Sequence, residues 1–194
     1  VKCGAVMERE KRLQGIVFLG GRFDYTPADL AMLNVPFVCC SYSNRYGTLI
    51  EGEYSSVSIA DGDTAQQAVE ELYRHGHRRI AALISRPNDQ SISQLRYEGY
   101  VQALESHGIP VDPELVISTG GFGAKDAYRA VQEKMAENVD FTALFAIADS
   151  MAIGAMRALM DAGRRIPEDC SVIAIDGLEL SAYIEPPLTT LCQP

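Results

Sequence analysis

Apolar runs of strand length alternate along this chain with amphipathic stretches of helix length, the rhythm of repeated βα units. The runs fall at residues 15–20, 36–40, 57–59, 79–84, 115–117, 142–146 and 171–175. Most are apolar at consecutive positions rather than at every second one, which predicts strands covered on both faces and therefore a parallel sheet. Between them Ala65, Ala68, Val69 and Leu72 recur at i, i+3, i+4 and i+7, and Tyr97, Tyr100, Val101 and Leu104 repeat the spacing. Each set marks the buried face of a helix. His75-Gly76 and His107-Gly108 predict glycine caps at the ends of those helices, and Ile109-Pro110 stops the second. Thr26-Pro27 and Asp149 predict helix starts, with Asp149 capping the segment that contains Ala152-Ile153-Gly154-Ala155-Met156. No repeat of fixed period and no linker interrupts the pattern.

Composition narrows the class. The 194 residues suffice for one large domain or two small ones, and 47% apolar with 22% charged residues is ordinary for a globular protein. No apolar run approaches the roughly 18 residues a membrane helix needs, so no membrane partner is expected. Lys and Arg total 17 against 26 Asp and Glu, a net charge of −9. Such a surface repels a phosphate backbone, so this chain by itself is not a nucleic-acid binder. Five cysteines (Cys3, Cys39, Cys40, Cys170, Cys192) make an odd count without a CxxC spacing. They predict a reducing, cytoplasmic compartment, and Cys39 and Cys40 suit burial in their apolar run. No signal-peptide pattern is visible at the start of the sequence.

Enzymatic chemistry needs a nucleophile with a base, paired carboxylates or a metal cluster, and each candidate has a simpler explanation. His75-x-His77 lacks a third ligand nearby and fits a helix-to-strand turn. Asp61-Gly62-Asp63-Thr64 lacks the downstream spacing of a calcium loop and reads as a turn with a cap before a helix at Ala65. Gly120-Gly121-Phe122-Gly123 is followed by no GxGxxG or Lys-Ser/Thr and reads as a strand-to-helix turn. There is no GxSxG. The expectation is a protein that is not an enzyme and uses no cofactor or metal.

Three segments carry a more specific signal: Gly76-His77-Arg78-Arg79-Ile80-Ala81, with Arg96-Tyr97-Glu98-Gly99-Tyr100 after a loop; Ala148-Asp149-Ser150-Met151-Ala152-Ile153-Gly154-Ala155; and Ile166-Pro167-Glu168-Asp169-Cys170-Ser171-Val172-Ile173-Ala174-Ile175-Asp176, then Pro186-Pro187-Leu188-Thr189-Thr190-Leu191-Cys192-Gln193-Pro194. In this order and spacing they resemble the effector-binding core of the lactose-repressor/galactose-repressor (LacI/GalR) family of bacterial transcription regulators, over nearly the whole chain. The resemblance implies an α/β, periplasmic-binding-protein-like fold of two parallel-sheet subdomains joined by crossovers, with a small effector in the cleft between them. Residues 1–60 would be part of an N-terminal subdomain that is incomplete here, 61–176 the C-terminal subdomain, and 177–194 a crossover returning towards the first. The helix-turn-helix, the hinge and further elements at both ends would lie outside this sequence. The implied partners are a sugar-like effector, operator DNA through that helix-turn-helix, and a second copy of the chain in a homodimer. In that dimer Leu13, Leu30 and Leu33 would face a partner or, equally, the core.

Open parallel sheets gather their loops around a crevice at the carboxyl ends of the strands. Ser41, Ile59, the 85–92 loop, Phe122, Ala148 and Asp176 all follow strand ends. By resemblance, Arg96 and Asp176 contact effector, Phe122 stacks on it, and Ser41 and Ile59 line the pocket. Ala148 stands where many members carry Asn, and Gly177 where an acid or amide is common, so fewer polar groups would face the effector. On the residues alone, Arg96 could instead pair with Asp89 or Glu98, Asp176 could cap a turn, and Phe122 could plug the core. Two other functions remain open: a solute-binding protein of a transport system on the same fold, which an export signal would mark, and a small α/β enzyme, which would need detectable turnover.

Overall fold

The computed structural model describes residues 2–21, 23–50 and 52–194; the side chains of residues 2, 3 and 5, and with them the expectation for Cys3, lie outside that description. The chain divides into two compact units, one of residues 1–59 with 90–92 and one of residues 60–89 with 93–194.

The smaller unit contains α1 (Lys2–Lys11), β1 (Ile16–Leu19), α2 (Pro27–Leu30), β2 (Phe37–Cys40) and β3 (Ser55–Val57). Its three strands pair in parallel in the order β1-β2-β3. The start of α2 follows the local rule. Thr26 accepts the Asp29 N–H while the Asp29 carboxylate accepts the Thr26 N–H, so two otherwise unpaired donors are satisfied reciprocally. Phe23 and Tyr42, both buried, pack edge to face, and Tyr25 stacks on Tyr42. β3 lies two residues before the apolar run at 57–59, because Val38 and Cys39 of β2 pair with Ser55 and Ser56.

The larger unit is a five-stranded parallel sheet in the order β5-β4-β6-β7-β8. Its elements are α3 (Asp61–Arg74), β4 (Ile80–Ile84), α4 (Ile92–Ser106), β5 (Val116–Ser118), α5 (Ala124–Ala136), β6 (Ala143–Ala146), α6 (Asp149–Asp161), β7 (Ser171–Asp176) and β8 (Thr189–Cys192). β4 and β6 are buried at every position, as consecutive apolar residues in a covered parallel sheet require. On α3 the face read from the sequence is the one buried, Ala65, Ala68, Val69 and Leu72; on α4 Tyr100 and Leu104 are buried but Tyr97 and Val101 only half-buried, because the inward face turns through Ser93, Arg96, Gly99 and Ala103. Each large aliphatic or aromatic side chain removed from water there contributes on the order of 1.5–3 kcal/mol.

Three boundaries differ from the sequence reading. α3 begins at Asp61 rather than Ala65. Asp149 is the first residue of α6, with Ala148 in the capping position, because the Asp149 carboxylate is engaged by distant groups. Within residues 177–194, Thr189–Cys192 pair with Ile173–Asp176 as the edge strand of the larger unit's own sheet.

Glycines set two helix crossings. A Cβ on Gly99 would collide with the Gly62 carbonyl, so α3 and α4 approach backbone to backbone at this point. A Cβ on Gly154 would collide likewise with Ala124 at the start of α5, against which α6 packs. The first crossing matters for chemistry, since Asp61 adjoins Gly62 and Arg96 lies one turn before Gly99.

Candidate functional site

Arg96 is the largest side chain buried to this degree, 2% exposed on a helix whose other inward positions are apolar or small. A guanidinium removed from water demands partners on all its nitrogens. Nε donates to Asp61 Oδ1 at 2.9 Å, and Nη1 donates to the Ile147 carbonyl and to Asp176 Oδ1 at 3.2 Å. Nη2 is buried and has no partner among the described residues. The Gly62–Gly99 crossing brings Asp61 within reach. Burial pushes the Asp61 carboxyl above the ordinary carboxylate range, and the Arg96 charge works against that shift.

Asp176 closes β7 with a backbone φ of 146°, a conformation that L residues rarely adopt, and Gly177 follows at 76°. Such local strain is held only where surrounding contacts impose it. Its carboxylate is 24% exposed and also accepts from Gln193 Nε2 at 2.5 Å and, at 3.4 Å, from the Asp149 N–H. Gly177 cannot carry a side chain here: a Cβ would lie 2.6 Å from Cys192 Sγ.

Asp149 itself is wholly buried. It accepts the Leu178 N–H at 2.8 Å, the Ser181 hydroxyl at 2.7 Å and the Thr190 hydroxyl at 2.5 Å. The carboxylate thus ties the start of α6 to the segment after Asp176 and to β8, keeping Asp176 opposite Arg96.

Arg96, Asp176 and Ala148 are therefore brought together, Ala148 buried beside the Ile147 carbonyl that Arg96 grips. Phe122 lies in the turn between β5 and α5, 40% exposed, with its carbonyl accepting from Ser150 Oγ next to Asp149. Ser41 and Ile59 belong to the smaller unit. Ser41 is exposed with φ 51° after β2 and donates its N–H to the Val57 carbonyl, and Ile59 is half-buried after β3. The alternative pairing of Arg96 with Asp89 or Glu98 gives way to Asp61 and Asp176.

Sequence reasoning missed Asp61 and Asp149, both taken for local turn or cap residues. The signal available was indirect: an arginine inside an apolar helix face requires carboxylates from elsewhere in the chain. At the opposite strand ends, a cavity of about 380 Å³ is lined by His75, His77, Ser171 and three prolines. There the His77 ring bonds Thr142 and Ser171 hydroxyls at 3.0 Å each, and burial lowers its pKa. Among the described residues no group of three or more His, Cys, Asp or Glu is placed to hold a metal ion. Cys39 and Cys170 are buried free thiols whose pKa burial raises. No described helix is long and apolar enough to cross a membrane.

The sequence pattern of the family described as periplasmic binding protein-like domain matches residues 69–194. The chain is 37% identical over 187 residues to the HTH-type transcriptional regulator MalR of Clostridium butyricum, covering 96% of this chain and 55% of that protein. It is 34% identical over 184 residues to the HTH-type transcriptional repressor CytR of Escherichia coli (strain K12), covering 95% and 52%. The chain thus spans about half the length of these relatives. Among solved structures, a transcriptional regulator CelR–cellobiose complex superposes with a TM-score of 0.85 at 32% identity, covering all of this chain and 58% of that one. The Escherichia coli transcriptional repressor ascG gives 0.81 at 28% identity, covering 100% and 69%. On this evidence of fold and kinship, the chain belongs to the periplasmic binding protein-like domain family, and within it is similar to transcriptional regulators of the LacI/GalR type.

Proposed function

We propose that this chain is the effector-binding and dimerisation core of a cytoplasmic LacI/GalR-type transcription regulator. A sugar or sugar derivative binds against the carboxyl ends of the larger unit's strands and alters operator affinity through a helix-turn-helix outside this sequence. The observation that carries the reading is Arg96 Nη2, buried without a partner among the described residues, beside the open carboxylate of Asp176. A buried donor left unmade costs about 1–3 kcal/mol, and a ligand oxygen would recover that. Asp176 is set to accept a hydroxyl proton, Phe122 offers a flat apolar face for C–H contacts, and Ala148 leaves room where an amide would stand. Ser41 and Ile59 join the proposed effector-lining set by resemblance alone. The named relatives are transcriptional regulators, and a structural neighbour holds cellobiose, which favours this reading over transport or catalysis. DNA affinity responds only if the ligand binds one conformation better than the other.

The test is a thermal-shift screen against monosaccharides, disaccharides including cellobiose, sugar phosphates, nucleosides and purines, followed by calorimetry on the hits. A ligand at 100 times its Kd adds about 2.7 kcal/mol to stability. We expect a saturable shift that Asp176→Asn abolishes while the variant still folds. A shift unchanged in Asp176→Asn, or no shift with any sugar, overturns the assignment.

A further inference from the structure

At the amino ends of the larger unit's strands lies a cavity remote from Arg96 and Asp176. α3 spans 14 residues from Asp61 to Arg74, which puts His75 about 20 Å along the helix axis from Asp61. The cavity's volume of about 380 Å³ falls within the roughly 300–1,000 Å³ of small-molecule sites. Its walls are mainly apolar, formed by Leu72, Ile166 and the prolines Pro167, Pro186 and Pro187 among others. A proline ring fixes its own backbone φ, so that wall is shaped before any ligand arrives.

The polar groups that remain unengaged define the ligand. His77 has its two ring nitrogens on the Thr142 and Ser171 hydroxyls at 3.0 Å each, which leaves a ligand only the face of the ring. Burial lowers its pKa, so the ring is uncharged at neutral pH. His75 Nδ1 lies 2.9 Å from the Glu71 carbonyl. A carbonyl only accepts, so Nδ1 carries the hydrogen and Nε2 of the neutral ring is left as an acceptor. The Glu71 carboxylate is likewise acceptor only, and its contacts with Arg74 at 3.1 Å and His75 at 3.5 Å leave lone pairs over. Glu71 is the one Asp, Glu, Lys or Arg among the described residues of the lining. Arg165, next to Ile166 in the chain, is committed to Asp169 by two side-chain hydrogen bonds.

Acceptors without matching donors suit a ligand that brings N–H groups, and the apolar walls with the imidazole face suit a flat ring. An ammonium group can donate to Glu71 in a charge-assisted bond, whereas an acid brings a second negative charge against it. We propose that this cavity is a second ligand site, separate from the effector cluster, for a flat aromatic molecule bearing an amine. The proposal stands independently of the effector reading above.

The test is a titration of the whole chain with tryptamine and with indole-3-acetate, which share a ring and differ in the charge of the tail. Calorimetry reads affinity, and the imidazole proton resonances of His75 and His77 read position; the chain has three histidines, so His107 serves as the reference. Tryptamine is expected to saturate one site with a Kd below about 1 mM, shifting both resonances, and the acid to bind roughly tenfold or more weaker. Glu71→Gln is expected to narrow that ratio severalfold. Thr189→Trp, which places an indole in the cavity from an exposed position at the edge, is expected to abolish tryptamine binding, and Asp176→Asn to leave it as in wild type. Circular dichroism checks folding, and if Thr189→Trp does not fold, the histidine resonances locate the ligand without it. The proposal is overturned by any of the following: no saturation, saturation without a shift at His75 and His77, or binding retained in a folded Thr189→Trp. Loss of binding in Asp176→Asn overturns it as well, because the ligand would then sit in the effector cluster. The acid binding as tightly as the amine, or a ratio unmoved by Glu71→Gln, overturns the ligand class.

Discussion

Asp61 and Asp149 occupy the same place in two helices, the first residue of α3 and of α6, and both are buried. A carboxylate suits either position, since helix N-termini carry partial positive charge. Their surroundings differ. Asp149 accepts hydrogen bonds from Leu178, Ser181 and Thr190, all within its own unit. Asp61 holds Arg96, which carries the charge onward to Asp176 and ends in a nitrogen with no partner among the described residues. One network is closed and serves the fold. The other is open, and the protein keeps the cost of a buried donor that an apolar core would not incur.

The largest effect should follow from opening the closed network. Asp149→Ala leaves the Leu178 N–H and two hydroxyls facing a void, and hydrogen bonds to a charged group contribute about 1.5–3 kcal/mol each. We expect a loss of about 3–5 kcal/mol in urea unfolding. A loss under about 1 kcal/mol would mean that these groups find other partners and that Asp149 is not the fastener described.

A smaller effect tests how the open network is assembled. Gly99→Ala places a methyl against the Gly62 carbonyl and must push α3 from α4. Overpacking of this kind costs typically 1–3 kcal/mol. Because Asp61 adjoins Gly62, the Asp61–Arg96 contact should lengthen as well, so sugar affinity should fall by more than in a surface variant such as Glu105→Ala. Unchanged stability in Gly99→Ala would show that the helices can separate freely.

The same contrast explains how much could be read beforehand. The larger unit's strands β4, β6 and β7 were legible because burial on both faces leaves consecutive apolar residues, and the face of α3 because its spacing is local; on α4 the aromatic spacing picked out Tyr100 and Leu104 but missed the turn of the buried face towards Ser93, Arg96 and Gly99. Arg96 and Asp176 were legible as a pair of positions through kinship. Asp61 and Asp149 were misread because each sits where local chemistry offers a turn or a cap, while the partners that use their carboxylates lie 29 to 41 residues away along the chain. β8 escaped for a related reason. Its residues Thr189 to Cys192 are exposed or half-buried along an edge, so no apolar run marks them. The polar α1 likewise gives no pattern beyond charge.

The smallest net effect is expected from removing the open network altogether. Arg96→Met alone strands Asp61 in an apolar site and should cost about 3–5 kcal/mol, the usual penalty for breaking a buried pair from one side. Adding Asp61→Leu removes the stranded carboxylate, and the double variant should return to within about 1 kcal/mol of wild type in urea unfolding. Its pH dependence should change too. Burial raises the Asp61 pKa from its ordinary 3.8, so at pH values between the unfolded and the folded pKa the folded chain holds a proton that the unfolded chain has released. That proton's contribution is present in full below the unfolded value and is lost as pH rises through the folded one, so wild-type stability carries a falling component across this window. The double variant should lack that component and bind no sugar. A double variant as unstable as Arg96→Met would make the buried charges a requirement of the fold, and would break the contrast between a network kept for structure and one kept for a ligand.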